Sequence, residues 1–219
     1  MNPLSTPKIA TAALAAIAVF PAVVVSLNLV QRADYDPKVQ AISELALGRG
    51  GALMVVAFLS LGGGIALLAV LFSRTCTRGR AIRWMLYLAA LLAGPMSAFF
   101  HTDLTGQPTT THGTIHNDAG LAAFLIILAS MYAAGRLFQR ETAWRGFAVP
   151  TLSWAVAATG AFFLIPALPA HFGLAQRLFV GTFVGWLLAA TAYARHKSLQ
   201  TEDSGSPDAP ASASELSGA

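Results

Sequence analysis

The sequence predicts an all-α protein, a bundle of six helices that crosses a membrane six times. Of its 219 residues, 55% are hydrophobic and 11% are charged, whereas about 25% of the residues in an ordinary soluble domain are charged. Six apolar runs contain no Asp, Glu, Lys or Arg. Each is close to the ~20 residues that a helix needs to cross the hydrocarbon layer, so soluble, disordered and coiled-coil classes are excluded.

The six predicted spans divide the chain between residues 9 and 194. They cover residues 9–30, 51–72, 84–100, 119–134, 147–168 and 178–194. The first run is longer than the roughly 7–15 apolar residues of a cleaved signal peptide, so we expect it to be retained. The fourth run is the shortest, and we expect its helix to begin a turn earlier, near His116.

Two further features of the composition indicate the domain organisation and the kinds of covalent linkage that the chain can form. Residues 198–219 are mainly Ser, Ala, Pro and acidic residues, which predicts a disordered cytoplasmic tail after a transmembrane domain of residues 1–197. The single cysteine, Cys76, excludes an internal disulfide and a c-type haem motif.

The distribution of Lys and Arg predicts the orientation of the spans. With the N-terminus in the cytoplasm, ten of the 14 basic residues fall on the inner side and four on the outer side. Cytoplasmic loops are enriched in Lys and Arg, so both termini are predicted to be cytoplasmic, in a plasma (inner) membrane. The basic residues thus determine topology, and no nucleic-acid partner is expected.

The first outer connection, residues 31–50, contains a helix-start pattern. Asp36 followed by Pro37 is typical of a capping residue and a first helical position. Apolar residues follow at helical spacing as far as Gly48. We therefore predict a short interfacial helix that brings Ser43 and Glu44 to the membrane rim, although Glu44 on such a helix could equally face water alone.

The second outer connection contains a histidine pair. If Thr111 caps the helix of the fourth span, His112 and His116 lie four residues apart on one helical face. That spacing suits two ligands of a divalent metal such as zinc, with Asp103 or His101 as a third. Ordinary interfacial histidines have the same spacing, so both interpretations stay open. A b-type haem is disfavoured because no His lies deep in a span.

The last span contains a small-residue pattern. Gly181-Thr-Phe-Val-Gly185 has the GxxxG spacing that allows helices to approach closely. Such a face could form a homo-oligomer. The same spacing is common by chance in apolar helices, so packing within one chain explains it as well.

Three motifs occur in order along the chain. They read Ile42-Ser-Glu44-Leu-Ala-Leu-Gly-Arg-Gly-Gly-Ala-Leu-Met54, then Phe100-His-Thr-Asp103 with Thr-His-Gly-Thr-Ile-His116, then Gly173-Leu-Ala-Gln-Arg177 followed by Trp186. Over roughly residues 9–194 the chain resembles the bacterial membrane proteins catalogued as domain of unknown function 998. The resemblance implies a six-helix bacterial membrane protein but no activity, because that family is uncharacterised.

The resemblance also selects candidate site residues. Those within the motifs, all on the outer side in the predicted topology, are Ser43, Glu44, Asp103, His112, His116 and Arg177. We interpret them as one polar ligand-binding pocket at the outer membrane interface.

Two functions fit such a pocket. The first is a protein without catalysis that binds a membrane lipid or another amphiphile. The second is a metal-dependent lipid hydrolase, in which His112, His116 and Asp103 hold the metal, Glu44 and Asp103 are the catalytic carboxylates, and Arg177 anchors an anionic group. The sequence does not decide whether the protein is an enzyme. Transport ranks below both, because the spans carry no formal charge and no repeat is visible.

Overall fold

The computed structural model describes residues 4–204, which fold into six long helices. All six are long and apolar enough to cross a membrane, which confirms the predicted all-α fold and the number of spans. The helices are α1 (Thr6–Val30), α2 (Ala52–Thr75), α3 (Arg80–Phe99), α4 (Thr111–Phe138), α5 (Arg145–Ala167) and α6 (Phe172–Ser204).

The helices form a closed ring. Each packs against its neighbours in sequence, and α1 also packs against α6, while α2 and α6 touch across the centre. The connections 31–51, 100–110 and 168–171 therefore lie at one end of the bundle, here named the long-loop face. The two ends of the chain and the connections 76–79 and 139–144 lie at the other end, here named the terminal face.

Two helix ends differ from the predicted boundaries. Helix α4 begins at Thr111, and its capping residue is Thr110, whose hydroxyl accepts a hydrogen bond from the amide of Gly113 at 3.1 Å. Helix α6 extends to Ser204, beyond the predicted start of the tail at residue 198. The rest of the predicted tail, residues 205–219, lies outside the described residues.

Helices α2 and α3 cross at a pair of glycines. A Cβ atom on Gly62 would lie 2.7 Å from the Cα atom of Gly94 and 2.7 Å from the carbonyl oxygen of Ala90. The same part of α3 contains a π-helical turn, Leu92–Met96. Pro95 within it has no amide hydrogen, so a regular α-helical ladder is interrupted there.

A carboxylate connects two loops on the terminal face. Glu141 is 9% exposed and accepts hydrogen bonds from the amide and hydroxyl of Thr77, at 2.9 and 2.8 Å, and from the amide of Arg78 at 3.1 Å. These bonds, with the Thr77 hydroxyl contributing most, hold the pKa of Glu141 below its usual value. They fix connection 76–79 against connection 139–144.

The first connection of the long-loop face differs from the predicted interfacial helix. Asp36 begins a turn in which its carboxylate accepts a hydrogen bond from the amide of Lys38 at 2.9 Å. Regular structure begins only at Ile42, with the five-residue 3-10 helix Ile42–Ala46, and residues 42–45 are buried. One helical turn does form after the Asp36 cap, since the amides of Val39 and Gln40 bond to the Asp36 carbonyl at 3.2 and 2.9 Å. It does not continue, and the carbonyls of Pro37 and Gln40 accept hydrogen bonds from Arg177 instead of from a next turn.

Candidate functional site

A cavity of about 810 Å³ lies inside the ring, towards the long-loop face. All six helices contribute to its wall, which is mainly apolar. Along α4 the wall runs from His116 to Ile127, about 17 Å at 1.5 Å per residue. This is roughly half of the ~30 Å hydrocarbon thickness of a bilayer. The cavity thus has the size of a small-molecule site and the depth of one membrane leaflet.

The polar residues of the wall are uncharged or weakly basic. Those that contribute are Ser43, Ser97, Thr105, His116, Asn117 and Gln176, and none of the described lining residues is Asp, Glu, Lys or Arg. Most come from the loops of the long-loop face or from the helix ends beside it. The cavity therefore has a polar end near that face and an apolar body below it.

Exposed residues of α4 and α5 contribute to the cavity wall. Nearer the terminal face these helices touch, since a Cβ on Gly135 would lie 2.6 Å from the side chain of Leu152. Nearer the long-loop face, Leu121 of α4 and Pro166 of α5 line the cavity while remaining exposed. Other exposed residues of the wall lie at the long-loop face, namely Val39, Thr105, Asn117 and Pro169.

Ser43 and Gln176 carry unused hydrogen-bonding groups at the polar end. Ser43 is 8% exposed, lines the cavity, and its hydroxyl bonds to no described residue. The Gln176 Oε1 atom accepts the amide of Ile42 at 2.8 Å. An amide nitrogen only donates, so the orientation of the Gln176 side chain is fixed and its Nε2 group presents N–H donors. Sequence reasoning missed Gln176, although it immediately precedes Arg177 in the third motif.

His116 and His112 point to different environments despite their helical spacing. His116 is 7% exposed and lines the cavity, and its Nδ1 atom lies 2.8 Å from the carbonyl oxygen of Phe100. Because a carbonyl only accepts, Nδ1 carries the proton and Nε2 is an acceptor in the neutral ring. His112 is exposed, and its ring centroid lies 5.4 Å from that of Phe100.

Glu44 is a buried connection between two loops. It is 3% exposed, and its carboxylate accepts hydrogen bonds from Gln40 Nε2 at 3.0 Å, the amide of Ala41 at 2.8 Å, and the amide and hydroxyl of Thr105 at 3.0 and 2.7 Å. Burial raises its pKa, but the bonds from Thr105, Gln40 and Ala41 outweigh burial and leave the pKa below its usual value. The carboxylate is therefore ionised and fully engaged.

Asp103 occupies the N-terminal end of α4. Its carboxylate accepts hydrogen bonds from the amide of Thr110 at 2.8 Å and from the Thr110 hydroxyl at 3.0 Å. A Cβ on Gly113 would overlap this carboxylate, so glycine is required for the close approach. The position where the helix dipole would favour a ligand anion is thus filled by a side chain of the protein.

Arg177 fixes the first connection to α6. Its Nη1 atom donates to the carbonyl oxygens of Pro37, Gln40 and Gly173 at 2.8, 2.9 and 3.0 Å. Its Nη2 atom bonds to the Tyr35 hydroxyl, and the guanidinium carbon lies 5.3 Å from the centroid of the Tyr35 ring. Arg177 therefore binds backbone carbonyls and a phenol, rather than the carboxylates that the sequence places on the same side.

The predicted metal ligands do not converge. Among residues 4–204, no group of three or more His, Cys, Asp or Glu side chains is placed to hold a metal ion. His116 lies inside the cavity, His112 is exposed, and Asp103 caps α4. The two histidines share a helical face, and both contact Phe100. His112 lies one turn nearer the end of α4, about 6 Å along the axis, and is exposed there. The metal-dependent hydrolase stays a prediction that no such group among the described residues supports.

The two glycines of the GxxxG pattern have different surroundings. A Cβ on Gly185 would lie 3.3 Å from Trp154 of α5, so this glycine serves packing within the chain. Gly181 is exposed, and a Cβ there would meet nothing within 4 Å. Self-association through this face stays a prediction that would involve Gly181 rather than Gly185.

The six apolar helices define a multi-pass integral membrane protein. The cavity lies in the half of the bundle nearer the long-loop face. Residues 10–193 match the family model described as "Protein of unknown function (DUF998)", so the chain belongs to that family. Comparisons with curated proteins and with solved structures found no match. The match confirms the family that the three motifs indicated.

Proposed function

We propose that this protein binds an amphiphile that enters from the membrane, with its hydrocarbon chain in the cavity and its polar end against Ser43, His116 and Gln176. The observation that carries the proposal is Ser43, a buried residue at the wall of an 810 Å³ cavity whose hydroxyl bonds to no described residue. A ligand atom in the cavity could bond to this hydroxyl, to which no described residue bonds.

The shape and lining of the cavity support a chain-bearing ligand. The wall below the polar end is mainly apolar, and phenylalanines at 20, 58, 124, 162 and 183 contribute to it. Each methylene group buried there contributes about 0.8 kcal/mol. Leu121 of α4 and Pro166 of α5 are exposed and line the cavity, which supports entry from the bilayer between these two helices.

The orientation of the site follows from the charge distribution. Ten of the 14 basic residues lie in the segments of the terminal face, and such segments are predominantly cytoplasmic. We therefore propose that the long-loop face lies outside the cytoplasm, in the plasma membrane, with both termini inside. The amphiphile would then come from the outer leaflet.

Photo-crosslinking in phosphatidylcholine vesicles tests the proposal. Diazirine-bearing oleoyl glycerol and diazirine-bearing oleoyl lysophosphatidylglycerol are offered separately, and labelled peptides are mapped by mass spectrometry. At least one probe should label residues 117–127. Gly120→Phe should reduce that labelling at least tenfold, because Gly120 lines the cavity and a side chain there has free space to occupy it.

Gly160→Phe is the matched control. Gly160 is exposed on α5 and does not line the cavity, and a Cβ added there would also meet nothing within 4 Å. The Gly160→Phe variant should be labelled as strongly as the wild type. Absence of labelling in residues 117–127 by both probes, or equal labelling of the two phenylalanine variants, would contradict the proposal.

A further inference from the structure

We infer that the polar end of the ligand is uncharged and both accepts and donates hydrogen bonds, as in a monoacylglycerol or another long-chain ester with free hydroxyl groups. This inference rests on the proposed function and specifies its ligand class. It follows from which polar groups near the cavity are already bonded within the protein and which are not.

The charged groups of the long-loop face named above have partners within the protein. The Glu44 carboxylate accepts four hydrogen bonds, from Gln40, Ala41 and Thr105. The Asp103 carboxylate caps α4. The Arg177 guanidinium donates to three backbone carbonyls and to a tyrosine hydroxyl. None of these three charged residues lines the cavity.

A charged ligand would therefore have no counter-ion at the described wall. Moving a charge from water into a mainly apolar cavity is unfavourable unless an opposite charge or several strong hydrogen bonds compensate it. The anion position at the N-terminus of α4 is already filled by Asp103. An anionic headgroup that bound Arg177 would have to displace bonds that hold the loops in place.

The unused groups at the polar end are neutral and adjacent. Ser43 follows Ile42, whose amide bonds to Gln176 at 2.8 Å, so the Ser43 hydroxyl and the Gln176 Nε2 donors belong to neighbouring parts of the wall. Both can donate to an ester carbonyl or an ether oxygen. His116, protonated at Nδ1, provides an acceptor at Nε2 that suits a ligand hydroxyl.

The two photoprobes described above distinguish this ligand class, because they share the oleoyl glycerol unit and only the second carries an anionic phosphoglycerol group. Oleoyl glycerol should label residues 117–127 at least tenfold more efficiently than oleoyl lysophosphatidylglycerol at equal concentration. Ser43→Ala should reduce labelling by oleoyl glycerol about five- to tenfold, the loss expected for one hydrogen bond. The Ser43 hydroxyl has no partner among the described residues, so the variant should retain the unfolding temperature of the wild type.

Gln176→Glu provides a second variant at the polar end. Glutamate keeps an oxygen for the Ile42 amide but replaces the Nε2 donors with an acceptor, so labelling by oleoyl glycerol should again fall. Equal or preferential labelling by the phosphate probe, still sensitive to Gly120→Phe, would overturn the inference and leave the proposed function intact. Unchanged oleoyl glycerol labelling of Ser43→Ala would also overturn it. Failure of both probes would instead reject the proposed function.

Discussion

The carboxylate of Glu44 accepts hydrogen bonds from both the amide and the hydroxyl of Thr105, at 3.0 and 2.7 Å, and so joins the first and second connections of the long-loop face. On the terminal face, Glu141 bonds in the same way to the amide and hydroxyl of Thr77. Each end of the helix ring is therefore held by one buried carboxylate that connects two loops.

The first prediction concerns Glu44. Replacing Glu44 with Gln should lower the free energy of unfolding at neutral pH by about 1–3 kcal/mol. Each carboxylate oxygen accepts two hydrogen bonds, so the new NH2 group faces two of the four donors. Unfolding in mixed micelles, followed by tryptophan fluorescence, measures the loss. Thr105→Val removes the hydrogen bond from the Thr105 hydroxyl and should cause part of the same loss in stability.

The same carboxylate predicts a pH dependence. The pKa of folded Glu44 lies below its ordinary value of 4.5, so the unfolded state binds the proton more tightly. Its contribution to stability is complete above pH 4.5 and is lost as the pH falls through the lower folded-state pKa. The stability difference between wild type and Glu44→Gln should narrow over that range. A difference that stays constant from neutral pH to well below the ordinary pKa would disagree with this linkage.

A second prediction concerns the crossing of α2 and α3. Gly62→Ala should destabilise the protein by about 1–3 kcal/mol, because the added methyl group would lie 2.7 Å from Gly94 and from the carbonyl of Ala90. The neighbouring Gly63 is exposed, with nothing within 4 Å of an added Cβ. Gly63→Ala should therefore be neutral or stabilising by up to about 1 kcal/mol. Equal effects at the two positions, measured by unfolding in mixed micelles, would show that the crossing is not tightly packed.

A third prediction concerns the start of α4. Gly113→Ala should break the capping arrangement of Asp103 and Thr110, because the added methyl group would overlap the Asp103 carboxylate. Loss of such a cap costs about 0.5–2 kcal/mol. Hydrogen exchange of residues 111–118 should increase in this variant. Gly160→Ala, on an open helix surface, should leave that exchange unchanged.

A fourth prediction separates two roles of Arg177. Arg177→Lys preserves the positive charge but loses the planar fork that reaches three carbonyls and Tyr35. We expect a loss of about 1.5–3 kcal/mol in the free energy of unfolding, similar to that of Arg177→Met. If Arg177 instead acted only as a charge for a ligand anion, the lysine variant would keep wild-type stability.

A fifth prediction concerns membrane orientation. Cys76 is buried, and burial raises the pKa of its thiol to about 12, so it should react slowly from either side of the membrane. In a Cys76→Ala background, exposed positions on the two faces are suitable reporters, namely Gln107 and Thr142. An impermeant maleimide added to intact cells should label Gln107→Cys and not Thr142→Cys. The reverse pattern would invert the proposed topology.

The histidine pair shows how much of the candidate site could be predicted from the sequence. Helical spacing correctly placed His112 and His116 in one helix, and the first of the three motifs included Ser43. Spacing did not reveal that His116 faces the cavity while His112 is exposed, because that depends on how far along α4 the loops and neighbouring helices cover it. No spacing or composition signal in the sequence identified Gln176 as a site residue. Its role was found only from the hydrogen bond between its side chain and the amide of Ile42.

The sequence by itself determined the membrane architecture of this protein. A bilayer requires apolar runs of a fixed length and excludes unpaired charge from them, so six spans can be recognised from composition along the chain. Only the tertiary structure decided which polar residues connect the loops and which line the cavity. Glu44 meets Thr105 across 61 positions and Arg177 meets Pro37 across 140. Such bonds depend on where loops meet in space, which is why the charged residues hold the loops while uncharged ones line the cavity.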